Sequence, residues 1–180
     1  MTKVAFLAGG NSVYSRLTGL IDFSTNYLGE HGIDSEVIQI HQLPSEALIT
    51  ADYNNDKIKE INQIVEESEV IVIATPVYKA SITGILKTYL DLLPQNGLSN
   101  KIIVPLVLGG SFGHLLVIDY ALKPVLSALG ATNTLKGVYT VDTQITKLEG
   151  NRFELEEAVK ERLINTFDEV LSQIQQPVKE

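Results

Sequence analysis

The chain has 180 residues, of which 44% are hydrophobic and none is cysteine, and its net charge is −8. These values exclude disulfides and thiol chemistry, argue against a binder of nucleic-acid phosphates, and with only three histidines leave no expected metal site. No apolar run approaches the roughly 18 residues that cross a bilayer, and the N-terminus lacks a secretory pattern. We therefore expect one cytoplasmic domain over residues 1–180.

The hydrophobic pattern alternates between short β-type runs and longer stretches with helical spacing. The run at 70–74 is the most β-branched in the chain and should form a central strand. In chain order, the predicted elements are a strand at 3–8, a helix at 16–30, a strand at 35–40, a loop at 43–55, a helix at 56–67, a strand at 70–74, a helix at 84–93, a strand at 101–108, a helix at 114–129, a strand at 134–141 and a helix at 154–174.

Five strands that alternate with helices are typical of a parallel sheet covered on both faces. We predict an α/β fold with a flavodoxin-like, doubly wound, five-stranded parallel sheet in the order 2-1-3-4-5. Pro105 lies inside a predicted strand and predicts a local bulge, because proline donates no hydrogen bond to a neighbouring strand. Pro124 lies inside a predicted helix, where its ring conflicts with the Tyr120 carbonyl, so either a simple kink or a π-bulge is expected at Tyr120.

Ligands of such sheets bind beyond the carboxyl ends of the strands, at the point where the strand order reverses. Three loops should meet at this edge. The loop after the first strand is rich in glycine and hydroxyl groups and precedes a helix, which is typical of an anion site. Its candidate phosphate-binding residues are Gly9, Asn11, Ser12, Ser15 and Arg16. An ordinary glycine-rich turn with a serine N-cap explains this loop equally well.

The two other loops carry residues suited to a flat heterocycle. In the second, Thr75 and Pro76 bend the chain after the central strand, Val77 and Tyr78 could line or cover a ring, and Lys79 could meet an anion. A strand-end turn with an exposed tyrosine is the alternative.

The third loop offers Gly109 and Gly110 for close backbone approach, followed by His114, which alone is weak evidence for catalysis. No convincing acid–base constellation appears, so we predict no catalytic side chain and assign the redox chemistry to a cofactor. A phosphate cradle and two ring-contacting loops on this sheet suggest flavin mononucleotide (FMN).

Three segments closely resemble one family. They are Ala74-Thr75-Pro76-Val77-Tyr78-Lys79-Ala80, the stretch from Gly84 to Pro94, and the run His114-Leu115-Leu116-Val117-Ile118-Asp119-Tyr120-Ala121-Leu122-Lys123-Pro124-Val125-Leu126-Ser127-Ala128-Leu129. Together they resemble NADPH-dependent FMN reductases of the SsuE type, which belong to two-component alkanesulfonate monooxygenase systems. The resemblance extends from Lys3 to about Gln175.

The resemblance implies that the loop around Ser15 holds the flavin phosphate. The second loop would line the isoalloxazine ring, and the third would lie near its other side. It also implies hydride transfer from NADPH, or from NADH, to FMN, and delivery of the reduced flavin to a monooxygenase. The resemblance also implies a tetramer that is built through the fourth helix, here 114–129. In this family a tyrosine that matches Tyr120 forms a π-helix.

The first loop departs from the family pattern, since Gly10-Asn11-Ser12 stands where an early serine and arginine are usual. A weaker phosphate grip would suit a flavin that is used as a substrate. Two alternatives remain open: an enzyme that retains FMN and reduces quinones, azo dyes or metal ions, and a non-enzymatic electron carrier like flavodoxin.

Overall fold

The computed structural model describes residues 3–174, so the ends of the predicted domain, 1–2 and 175–180, including Gln175, lie outside the described part. The strands are β1 (Lys3–Ala8), β2 (Asp34–Gln39), β3 (Val70–Pro76), β4 (Ile102–Gly109), β5 (Asn133–Thr134), β6 (Val138–Val141), β7 (Ile145–Lys147) and β8 (Phe153–Leu155). The α-helices are α1 (Arg16–Glu30), α2 (Ser45–Thr50), α3 (Asp56–Glu67), α4 (Gly84–Leu90), α5 (Lys123–Ala128) and α6 (Glu157–Ile174). A π-helical turn spans Ile118–Leu122, and short 3₁₀ turns span Ile40–Gln42, Phe112–His114 and Asp142–Gln144.

The main sheet has the predicted order, β2-β1-β3-β4-β5, with β6 also paired to β4, and every pair in it is parallel. Strands β1, β3 and β4 are in the middle and are apolar on both faces, as parallel strands covered by helices must be. The predicted flavodoxin-like fold is confirmed.

The side chains of alternate strand residues pack into two separate hydrophobic layers, one on each face of the sheet. One face packs Leu7, Ile73 and Val107 against α3, α4 and the π-helical region. The other face packs Phe6, Val72 and Leu106 against α1 and α6. The period-2 alternation of the strands thus directs neighbouring side chains into opposite layers.

Several predicted boundaries are wrong. The predicted loop 43–55 contains α2, and the predicted helix 84–93 ends at Leu90. Residues 154–155 belong to β8, which pairs with β7 as a small antiparallel hairpin, so the C-terminal helix begins at Glu157. The predicted strand 134–141 divides into β5 and β6.

The irregularity expected at Pro105 lies on the strand beside it. Strand β4 pairs with β3 without interruption, including Pro105 opposite Ile73. On its other side, Ile103 pairs with Thr134 and Leu106 with Val138, so the partner carries one extra residue in this interval. The Ile103 carbonyl accepts from the partner segment, which means that the missing Pro105 donor also faces this side. The chain therefore bulges where proline leaves a bond unmade.

The irregularity expected at Tyr120 is a π-helical turn. It spans Ile118–Leu122 and continues directly into α5, which carries Pro124 in its first turn. The predicted helix over 114–129 is therefore irregular, because a 3₁₀ turn stands at its start and the π turn precedes α5. The π-bulge alternative is confirmed, and Tyr120 projects outward with 78% of its surface exposed.

Candidate functional site

Three loops meet at the carboxyl edge of the sheet, as predicted. We call them the first loop (residues 9–16), the second loop (75–82) and the third loop (109–114), each counted with the residues of the helix or strand at its end. Ala8 pairs with Ala74, and Pro76 pairs with Leu108, so β1, β3 and β4 end side by side. The Val77 N–H donates to the Leu108 carbonyl at 2.8 Å, which joins the second loop to the strand that leads into the third.

The first loop presents an unpaired hydroxyl at the start of a long helix. Ser15 is the N-cap residue of the 15-residue helix α1, but its side chain makes no capping bond. Its Oγ is buried and has no hydrogen-bond partner within residues 3–174. A buried polar atom without a partner is costly, and the free N–H groups of a helix start favour an anion. This pair of features fits a phosphate group.

The other predicted residues of the first loop have different environments. Asn11 is exposed, whereas Gly9 is buried and donates its N–H to the Ala74 carbonyl at 2.7 Å. Ser12 Oγ accepts from the Tyr14 N–H at 3.0 Å. Arg16 turns toward the hairpin, because its Nε donates to the Ile145 carbonyl at 2.8 Å. The Arg16 guanidinium is thus hydrogen-bonded to the β7–β8 hairpin beside the loop.

The β7–β8 hairpin supports the first loop from outside, and the sequence interpretation missed it. Lys147 Nζ donates to the Tyr14 carbonyl at 3.0 Å, and Asn151 Nδ2 donates to the Val13 carbonyl at 3.2 Å. The signal was a Gly150-Asn151 pair between two short alternating runs, which is typical of a hairpin turn.

The second loop is a tight turn with a strained backbone. Tyr78 and Ser81 exchange two backbone hydrogen bonds, of 3.0 and 3.1 Å. Between them, Lys79 and Ala80 have φ of +52° and +60°, a conformation usually left to Asn or Gly. Strained backbone of this kind is concentrated at functional sites. The turn presents Tyr78, half exposed, and Lys79, also exposed, at the edge of the site.

The base of the second loop is buried and fully hydrogen-bonded. The Thr75 side chain has no exposed surface, and its hydroxyl donates to the Pro76 carbonyl and accepts from the Thr83 N–H. The Thr75 side chain therefore supports the loop and does not reach the surface. Pro76 and Val77 are partly exposed beside it.

The third loop is held by a tyrosine that the sequence interpretation did not single out. Tyr139 of β6 donates its hydroxyl to the Ser111 carbonyl at 2.6 Å. Its ring fills the space beside Gly109, where an added Cβ would lie 1.8 Å from the Tyr139 oxygen. Burial and the Asp142 charge raise the pKa of Tyr139, so the hydroxyl stays a donor at neutral pH. Gly110 and His114 remain exposed beyond this support.

The arrangement suits a phosphorylated planar ligand. The first loop offers the unpaired Ser15 hydroxyl and a helix start, while the second and third loops provide Tyr78, Lys79 and the glycine backbone around a shared edge.

Residues 3–174 contain no cluster of three or more His, Asp or Glu side chains placed to hold a metal ion. Within the same range, no helix is long and apolar enough to span a membrane.

Comparison with known proteins gives consistent matches. A family model described as "NADPH-dependent FMN reductase" matches residues 2–146. An "FMN reductase (NADPH)" of Pseudomonas putida strain KT2440 is 39% identical over 179 residues, which cover 97% of this chain and 91% of the relative. An Escherichia coli K12 protein of the same name is 40% identical over 145 residues, which cover 79% of this chain and 75% of the relative.

A solved structure shares the whole architecture. The apo form of an NADH:FMN oxidoreductase called EMOB superposes with a TM-score of 0.86 at 29% identity, covering 99% of this chain and 92% of that one.

Proposed function

The chain belongs to the NADPH-dependent FMN reductase family, and from this premise we propose that it reduces FMN at the three-loop edge and releases the product to a flavin-dependent monooxygenase. It is an NAD(P)H:FMN oxidoreductase whose cofactors are FMN and NAD(P)H. The partner is proposed to be of the alkanesulfonate type. We further propose that residues 1–180 act as one domain.

The unpaired Ser15 hydroxyl at the start of α1 is the observation that carries the proposed site. A phosphate placed there would receive the serine hydroxyl and the free backbone N–H groups of the helix start. Asn11 and Ser12 would complete this end of the site. The hairpin holds the Val13 and Tyr14 carbonyls of the first loop, so this part of its backbone is fixed before a ligand arrives.

The second and third loops are proposed to hold the ring. Pro76, Val77 and Tyr78 would line one side, Lys79 would attract the anionic dinucleotide, and Gly110 and His114 would lie on the other side. Bound FMN supplies the redox chemistry by accepting a hydride from the nicotinamide. The chain's own task is to align the two ligands and exclude water, which needs no protein acid or base.

The grip on the phosphate is proposed to be weak. The early arginine of the family pattern is absent, and Arg16 donates its Nε to Ile145. A weak grip suits a flavin that enters oxidised and leaves reduced. Retention of FMN with nanomolar affinity through desalting would contradict this part of the proposal.

A spectrophotometric assay of NADPH and NADH oxidation, with FMN titrated from zero, tests the function. We expect oxidation that saturates with added FMN. Turnover of quinones, azo dyes or metal ions without added FMN would instead favour an enzyme that keeps its flavin. Absence of oxidation at every FMN concentration would defeat the proposal and favour an electron carrier.

We also propose a tetramer formed through the π-helical region. Leu115, Leu116 and Tyr120 are 48%, 59% and 78% exposed in the single chain. Leu115 and Leu116 line one cavity with Phe112, and Tyr120 lies one turn after Leu116, whose carbonyl accepts its backbone N–H. Apolar side chains clustered in this way mark interaction surfaces. Light scattering would give the molar mass, and Leu116→Glu should reduce it by placing a charge at the contact, whereas a monomeric wild-type chain would refute the proposal.

A further inference from the structure

Thr83 lies at the junction between the first and second loops and is 1% exposed. It is the N-cap of α4, and its Oγ1 accepts the Leu86 N–H at 3.2 Å. The same hydroxyl donates to the Gly9 carbonyl at 2.6 Å. Its backbone N–H donates to Thr75 Oγ1 at 3.3 Å. One buried residue thus joins the start of the first loop to the base of the second.

The Gly9 carbonyl depends on this contact. Gly9 is buried, and no other donor reaches its oxygen among residues 3–174. Without the Thr83 hydroxyl, the carbonyl would be buried and unpaired, and the backbone at Gly9 would rotate or shift to find a donor. An added Cβ at Gly9 would lie 2.7 Å from Leu86 Cβ, so the loop packs directly on α4 and has little room to shift elsewhere.

We propose that Thr83 is a positioning residue that sets the spacing between the phosphate-binding first loop and the ring-binding second loop. This inference rests on the proposed function, because it assigns the two ends of FMN to the two loops. Thr83 has no surface for a ligand, so it acts only through Gly9 and Thr75. A ligand held at both loops depends on their spacing, whereas a ligand held by the ring alone does not.

Riboflavin is FMN without its phosphate, so its KM depends on the ring-binding second loop and not on the phosphate-binding first loop. For Thr83→Val, which removes the hydroxyl at nearly constant volume, we expect the KM for FMN to rise about tenfold. That factor corresponds to about 1.4 kcal/mol, within the cost of a buried unpaired carbonyl. The KM for riboflavin should rise less than about twofold, and Thr83→Ser, which retains the hydroxyl, should restore both values.

Asn55→Ala provides the matched control. Asn55 caps α3 through its side chain, which accepts from Lys57 and Ile58, so the variant also loses a helix cap but lies away from the loops. It should lower stability as Thr83→Val does, while the ratio of the two KM values stays at the wild-type value.

Equal increases of both KM values in Thr83→Val, or no change in the KM for FMN, would overturn the positioning role. Failure of the wild-type chain to oxidise NAD(P)H with FMN would defeat the proposed function itself, so the two failures are distinguishable. If Thr83→Val does not fold, Thr75→Val tests the other half of the junction. If the KM for FMN rises more than the KM for riboflavin in Thr75→Val, the positioning role is supported. An unchanged ratio of the two KM values overturns it.

Discussion

Gly109 offers the sharpest test of how the third loop is built. Replacing it with alanine places a methyl group 1.8 Å from the Tyr139 oxygen and 2.7 Å from its Cζ, where ordinary contacts exceed about 3.4 Å. The ring must therefore move by more than 1 Å, although it is 5% exposed and packed in the core. Movement on that scale breaks the 2.6 Å hydrogen bond to the Ser111 carbonyl.

The expected cost follows from these two losses. A hydrogen bond contributes about 0.5–1.5 kcal/mol, and forcing an extra methyl into a packed site costs about 1–3 kcal/mol. We therefore expect Gly109→Ala to lower the free energy of unfolding by about 2–4 kcal/mol in urea titration. The KM for FMN should rise as well, because the third loop loses its anchor.

Gly110→Ala is the matched control, since nothing lies within 4 Å of a Cβ added at the neighbouring position. It should change the free energy of unfolding by less than about 1 kcal/mol. Tyr139→Phe removes the closest clashing atom, so Gly109→Ala should cost at least about 1 kcal/mol less in that background. Equal destabilisation by Gly109→Ala and Gly110→Ala, or full additivity with Tyr139→Phe, would refute the reasoning.

Four further substitutions test other parts of the fold. Ala80→Gly should raise the free energy of unfolding by about 0.5–1 kcal/mol in urea titration, because glycine accepts positive φ without strain; a decrease would show that the turn is not strained. The Asp168 carboxylate, which accepts from the Tyr27 hydroxyl, raises the pKa of Tyr27 from 10.0 to about 12. The stabilisation from that hydroxyl is complete below about pH 10 and lost toward about pH 12, so the stability difference between wild type and Tyr27→Phe should disappear across this range. In α1, thermal unfolding should show Gly29→Ala stabilised by up to about 1 kcal/mol, since nothing lies near its Cβ, and Gly19→Ala destabilised by about 1–3 kcal/mol, since its methyl would lie 2.6 Å from a side chain of β8.

Elements with long, regular patterns could be predicted from the sequence. Helices α1 and α3 have the predicted bounds, and the Asn55 cap explains why α3 begins where it does. The strand order followed from the alternation of strands and helices together with right-handed crossovers. In each case the information is local or follows from a general rule of chain connection.

The short elements were missed, because two turns or fewer leave no periodicity to detect. Helix α2 has six residues and is followed by the C-cap Ala51 with φ of +53°, a conformation that an alanine in the sequence does not indicate. The β7–β8 hairpin has three residues in each strand, so the Gly150-Asn151 turn marks it in the sequence but its strands do not. Ile145 and Leu155 are buried by contact with distant elements.

The loops of the candidate site were predictable, but the residues that hold them were not. Glycines and hydroxyl groups after strand ends marked the three loops directly. In contrast, Thr83 acts on Gly9 across 74 positions of sequence, and Tyr139 acts on Ser111 across 28. A threonine before a helix and a tyrosine in an apolar strand are ordinary patterns, so only the folded arrangement identifies their partners.

This division between supporting and exposed residues bears on how the site, with the weak grip proposed above, could still be specific. The hydroxyls of Thr83 and Tyr139 are engaged by the protein itself, and they order the loops without any ligand. Few groups remain for a ligand, and they include the Ser15 hydroxyl and the exposed Tyr78 and Lys79 side chains. Because the loops are ordered in advance, little binding energy goes into arranging them, and modest contacts suffice to align two rings. The proposed release of the reduced flavin calls for this combination of firm loops and a limited grip.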